Sequence, residues 1–93
     1  EGQFNSNTKT SNHVPNNMSK AALNMLTRSS GEYYAKEGII VLSVDTGWAT
    51  SVIDTFVIPP LDYEDCACRI LDPIFSKSKV YGQLLKNYKI VPW

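Results

Sequence analysis

"GIIVLSVDTGW", residues 38–48, decides how the rest of this sequence is read. Ile39 to Val44 is a β-branched and aliphatic run interrupted only by Ser43, the pattern of a strand buried on both faces in a parallel sheet. Gly38 suits the left-handed residue that follows a helix terminus, so a helix should end where this strand begins. Asp45-Thr46-Gly47-Trp48 would then be the loop leaving the strand's carboxyl end, where open α/β sheets place their ligands.

Upstream, residues 17 to 36 read as that helix. Asn16 or Asn17 can cap it, Ala21, Ala22, Leu23, Met25 and Leu26 are strong helix formers, and Lys36 suits the negative end of the macrodipole. Met18, Ala22, Met25 and Leu26 share one broad face, while Ala21, Ser29, Ser30 and Gly31 allow close approach elsewhere, so the helix expects neighbours on more than one side. Residues 1 to 16 are rich in Asn, Ser and Thr, with only Phe4 and Val14 to bury, and read as a polar loop.

Downstream, residues 49 to 61 are irregular and close with Pro59-Pro60. Asp62 can cap a second helix whose Ala67, Ile70, Leu71, Ile74 and Phe75 fall at i, i+3, i+4, i+7 and i+8, an apolar stripe expected to lie on a core. Pro73 should loosen its last turn. Val80 to Leu85 reads as a short strand and Asn87 to Trp93 as a tail.

The order is loop, helix, strand, loop, helix, strand, which amounts to a helix leading into one βαβ unit. Two strands with both faces apolar cannot satisfy a parallel sheet by themselves. The sequence is therefore expected to be the C-terminal part of a larger α/β domain, with residues 1 to 16 its loop and 17 to 93 its Rossmann-type segment, incomplete on its own.

Composition narrows the function classes without choosing one. Nine basic and nine acidic residues leave no formal charge, which gives no electrostatic footprint for nucleic acid. No apolar run approaches the ~20 residues of a membrane-spanning helix. Cys66 and Cys68, two apart on a helix, point ~200° away from each other and suit neither a mutual disulfide nor joint chelation. They are read as reduced thiols in a cytoplasmic or other reducing compartment. A zinc site would need more ligands than the single His13 can add.

"NMSKAALNMLTRSSGEYYAKEGIIVLSVDTGW" resembles the Lys-bearing helix and following strand of the short-chain dehydrogenases/reductases, and "GQLLKNYKIVPW" resembles their last strand and tail. With "LDP", these motifs look like a divergent branch of that superfamily without the usual catalytic Tyr: four places before Lys20 stands Asn16. The resemblance implies an NAD- or NADP-dependent oxidoreductase in which Lys20 bonds the nicotinamide ribose. Gly47 and Trp48 would contact the cofactor, and Thr50 or Ser51 would supply a hydroxyl to the carboxamide. It also implies that the polar loop bearing His13 lines the substrate mouth.

Nothing matches the family's acid. An Asn amide does not donate a proton usefully at neutral pH, and Tyr33 and Tyr34 lie ~20 Å further along the helix at ~1.5 Å per residue. As a plain sequence, Lys20 could equally be a solvated helix lysine, Gly47 a turn residue, Trp48 a core aromatic, and Asn16 and Asn17 caps. Two functions follow. One is the C-terminal part of an NAD(P)-binding oxidoreductase, completed by the remainder of the domain or by another chain. The other is a catalytically inactive module serving as a structural or interaction subunit. The helix over 17 to 36 also resembles the family's dimer-forming helix, which implies a homo-oligomer.

Overall fold

A computed structural model describes residues 2–6, 9–49, 58–76 and 79–93. The described residues are α/β, with two helices and a small mixed sheet of three strands. The first helix, α1, spans Val14–Lys36 and follows a single 3-10 turn over Ser11–His13. It begins earlier than the caps at Asn16 or Asn17 suggested, because Pro15 occupies its first turn, where a missing N–H costs nothing and the fixed φ is already helical.

Its other end is as expected. Gly38 has φ +79, its N–H donates to the Ala35 carbonyl, and the Ile39 N–H donates to the Tyr34 carbonyl. This pair of reversed bonds is the Schellman arrangement that a left-handed glycine permits.

Strand β1 covers Ser43–Asp45, shorter than the Ile39 to Val44 run that its composition suggested. A strand is defined by its partner, and the partner here is short. Strand β2, Leu84–Lys86, pairs with β1 in parallel through Ser43 with Leu84, Val44 with Leu85 and Asp45 with Lys86. Ahead of that ladder, Gly82 has φ +61 and turns the chain, so the segment expected as a strand from Val80 begins pairing at Leu84. Gly82 still donates to the Val41 carbonyl at 2.8 Å.

The segment read as a tail, Asn87 to Trp93, contains a further strand. Asn87 and Tyr88, with φ of 49° and 64°, form a two-residue turn, and Lys89–Val91 returns antiparallel to β2 as strand β3. Two positive φ values in succession belong to the turn whose twist matches a tight hairpin. The strand order is β1-β2-β3, so among the described residues β1 lies at an edge of the sheet.

Helix α2, Tyr63–Phe75, carries Pro73 within its last turn, and Asp62 caps it by accepting from the Asp65 N–H at 2.8 Å. Its orientation differs from the expectation. Cys66 is buried and Arg69 and Pro73 are half-buried, whereas Ala67, Ile70, Leu71, Ile74 and Phe75 face outward. Periodicity identified the stripe; packing turned the opposite stripe toward β1. Cys66 and Cys68 are both free thiols, the first buried and the second exposed.

Helix α1 is divided in the same way. Thr27 and Gly31 are buried, and Ala21, Asn24 and Ser30 are half-buried, so small and polar residues form its inner face. Met18, Ala22, Met25 and Leu26 are exposed on the other side. The inner face fits closely: a Cβ added at Gly31 would lie 2.6 Å from the Gly82 Cα. The core is correspondingly small, with Leu84, Leu85 and Cys66 its buried apolar residues among those described. No helix among the described residues is long and apolar enough to cross a membrane.

Candidate functional site

The carboxyl end of β1 opens into a cleft of about 1240 Å³. Its walls come from α1, from the loop after β1, from α2 and from β2, with residues of the N-terminal segment at one side. Lys20, Gly47 and Trp48, 27 and 28 positions apart in sequence, all line it. Thr50 and Ser51, the expected hydroxyl donors, lie outside the described residues.

Helix α1 presents a polar stripe to this space. His13, immediately ahead of the helix, and Lys20 and Thr27 on it recur at intervals of seven, close to two full turns, and Asn24 lies between the last two. All four line the cleft. Thr27 anchors the stripe to the sheet: its hydroxyl donates to the Leu23 carbonyl at 3.1 Å and accepts from the Ser43 hydroxyl at 2.7 Å. Lys20 has no hydrogen-bond or ion-pair partner among the described residues, so its ammonium is available to a ligand.

The N-terminal segment lies across this helix. A Cβ on Gly2 would lie 2.6 Å from the Lys20 carbonyl oxygen and 2.9 Å from the Asn24 Nδ2. Beyond it, the Gln3 side-chain amide donates to the Pro92 carbonyl and the Asn5 N–H to the Trp93 carbonyl. Gly2, Gln3 and His13 therefore place the polar N-terminal stretch at the cleft's mouth.

Across from α1, the Asp45 carboxylate organises the loop. Its Oδ1 accepts from the Gly47 N–H at 2.9 Å, and its Oδ2 lies 3.3 Å from the Lys86 Nζ on β2. Burial pushes the Asp45 carboxyl up, but the Gly47 N–H and the Lys86 ammonium outweigh that, and the net shift is downward from its ordinary value. Asp45 is thus a structural anion, ionised at neutral pH, and unsuited to donating a proton there.

Gly47 is favoured by its backbone conformation, and a side chain there would also displace two flexible neighbours. Its φ is +81, and a Cβ there would lie 2.5 Å from both the Arg69 Nη1 and the Leu61 Cδ1. The space that a side chain would fill is occupied by a guanidinium. Arg69 in turn donates to the Thr46 carbonyl at 3.5 Å, the outer limit of a hydrogen bond. Trp48, 55% exposed, stands beside this loop as a partly solvated indole rather than a core aromatic.

Sequence reasoning named Lys20, Gly47 and Trp48, with Asp45 in the same loop, and did not single out Arg69, Lys86 or Asn24. Asp45, Arg69 and Lys86 all line the cleft, as does Asn24. The seven-residue recurrence of polar side chains on α1 was a usable signal. Asp-x-Gly after a strand was another, since an Asp side chain commonly accepts from the backbone two residues on.

The fit to the nicotinamide-ribose end of a dinucleotide is partial and specific. Lys20 offers a free donor suited to ribose hydroxyls, and the cleft is large enough for a ligand of that size. The Gly47 N–H, by contrast, is already engaged by Asp45. No phenol lines the cleft among the described residues, and Asn16, exposed in the first turn of α1, has its carbonyl occupied by the Ser19 hydroxyl. Comparison with protein-family models, with curated proteins and with solved structures found no match to the chain.

Proposed function

We propose that the chain is the C-terminal part of an NAD(P)-binding, short-chain dehydrogenase/reductase-like protein, and that its cleft holds the nicotinamide-ribose end of the cofactor. One observation carries this reading. Lys20 on α1 and the Gly47-Trp48 loop after β1, separate in sequence, line one space at the carboxyl end of a strand in a parallel pair.

Lys20 would bond the ribose hydroxyls, and the Trp48 indole would cover an adjoining apolar face. Asp45 keeps the loop in shape by holding the Gly47 N–H. A nicotinamide cofactor, when bound, would supply hydride-transfer chemistry. The outward stripes of α1 and α2 and the edge position of β1 support completion by the remainder of the domain or another chain, with α1 a candidate surface for a homo-oligomer.

A second reading rests on the absence of a phenol from the described lining: the module binds or assembles without turnover, as a structural or interaction subunit. Titration with NADH and NADPH, followed by nicotinamide fluorescence, tests the first. Lys20→Ala should weaken binding about tenfold, the loss expected for one charge-assisted hydrogen bond. Equal affinity in wild type and Lys20→Ala would remove Lys20 from the site, and no binding in either would leave the second reading.

A further inference from the structure

The cleft contains more positive charge than a nicotinamide ribose needs. Among its described lining residues, Lys20, Arg69 and Lys86 face a single carboxylate, Asp45, in a chain whose formal net charge is zero. Lys86 is matched by Asp45 at 3.3 Å, and Lys20 is assigned to the ribose. Arg69 remains. It is half-buried, has no ion-pair partner among the described residues, and has a single long contact, to the Thr46 carbonyl at 3.5 Å.

A guanidinium carries five N–H donors in a planar fork. Among the described residues one marginal bond leaves that fork largely unused, and a partly desolvated cation is stabilised by an anion that can meet it. The surroundings keep it accessible rather than covered. Gly47, by lacking a side chain, leaves the guanidinium its space beside the loop, and Leu61 borders that same space. Asp45, the one carboxylate among the described lining residues, is occupied by the Gly47 N–H and by Lys86.

We propose that Arg69 is the recognition group for an oxyanion, a carboxylate or phosphate, carried by the substrate that enters this cleft beside the cofactor. The inference rests on the reading of the cleft as a cofactor site only in calling the oxyanion's bearer a substrate; the Arg69 fork itself is independent of it. A planar fork meets a carboxylate or phosphate through two parallel N–H bonds, which orients the ligand as well as attracting it. Lys20, which lines the same cleft, adds to the attraction for a negative ligand.

The test is an NMR titration of the full chain, with any associated chain retained, using inorganic phosphate and malonate as separate probes, each with and without NADH. Either probe should move the Arg69 Nε–H and Gly47 amide resonances to saturation. Arg69→Gln should weaken that binding about tenfold or more. Response to phosphate alone identifies a phosphorylated substrate, response to malonate alone a carboxylate, and response to both an oxyanion site that takes either.

Unmoved Arg69 and Gly47 resonances in the wild-type chain would overturn the proposal, whatever the variant does. So would equal affinity in Arg69→Gln. Competition between the probe and NADH would assign Arg69 to the cofactor's own phosphates and also overturn it. Anion binding at Arg69 in a chain that never binds NADH would instead remove the cofactor reading and leave the oxyanion site standing.

Discussion

Replacing Gly31 by Ala sets two well-characterised effects against each other. In an open helix the change stabilises by about 0.8–1 kcal/mol, because alanine gives up less backbone freedom. Here the new methyl would lie 2.6 Å from the Gly82 Cα and 2.9 Å from its N, whereas ordinary van der Waals contact begins near 3.4 Å. Both are backbone atoms, so no side chain can swing aside. Gly82 is also held by its 2.8 Å bond to the Val41 carbonyl.

Relief requires α1 and the turn before β2 to part by roughly 1 Å. Overpacking of this kind costs about 1–3 kcal/mol, and loosening the Gly82 bond adds about 1 kcal/mol. The clash therefore outweighs the propensity gain, with a net destabilisation of about 1–3 kcal/mol. For a domain of this size each kcal/mol lowers Tm by about 4–8 °C. The assay is thermal unfolding followed by circular dichroism. Gly38→Ala serves as comparison, since nothing lies within 4 Å of its added Cβ and only its left-handed φ of +79 is strained. A Tm for Gly31→Ala above wild type would refute the close seating of α1, and with it the placement of Lys20 relative to the Gly47 loop.

Three further outcomes are expected. Thr27→Val removes the acceptor of the Ser43 hydroxyl at 2.7 Å and should cost about 1 kcal/mol in urea denaturation, with Ser43→Ala adding little on top of it. Asp62→Ala removes the α2 cap and should cost about 1 kcal/mol, whereas Asp62→Asn should retain most of the stability. Asp45 has a folded-state pKa below its unfolded value, so its contribution is fully present above the unfolded pKa and is lost as pH falls through the folded one. The Gly47 amide resonance should accordingly keep its position at neutral pH and move in acid below the ordinary carboxylate range; an amide that moved near pH 6 instead would point to a different group.

Helices were legible because their signals are local. The Gly38 stop, the Asp62 cap and the apolar recurrence over 67 to 75 each depend on residues within a turn or two, and the structure bears out the Gly38 stop and the cap. Strands depend on partners, which explains why Ile39 to Leu42 looks like β1 in composition yet lies outside it. The β2-β3 hairpin escaped notice because its turn is Asn87-Tyr88, without the glycine that usually marks two positive φ values. The inward face of α2 escaped for another reason: periodicity says which residues share a face, whereas Cys66, Arg69 and Pro73 are selected by what they pack against.

Of the candidate site, the Asp45–Trp48 loop was legible from its place after a strand, and Lys20 only through a resemblance. Lys20, Gly47 and Trp48 do share a cleft, but nothing local in the sequence joins them. Arg69 was invisible because a charged residue on a helix is ordinarily solvated, and its proximity to Gly47 follows from the fold. The Asp45 to Lys86 pair is likewise a product of the parallel register, which sets those two residues side by side.

The central claim, that this cleft holds a nicotinamide dinucleotide at Lys20, is tested most directly by native mass spectrometry of wild-type and Lys20→Ala protein in the presence of NADH or NADPH. The account predicts a bound dinucleotide on the wild-type species, or on the assembly that contains it, and a marked loss of that species in the variant. A wild-type spectrum without dinucleotide at any cofactor concentration, or one that Lys20→Ala leaves unchanged, would contradict it.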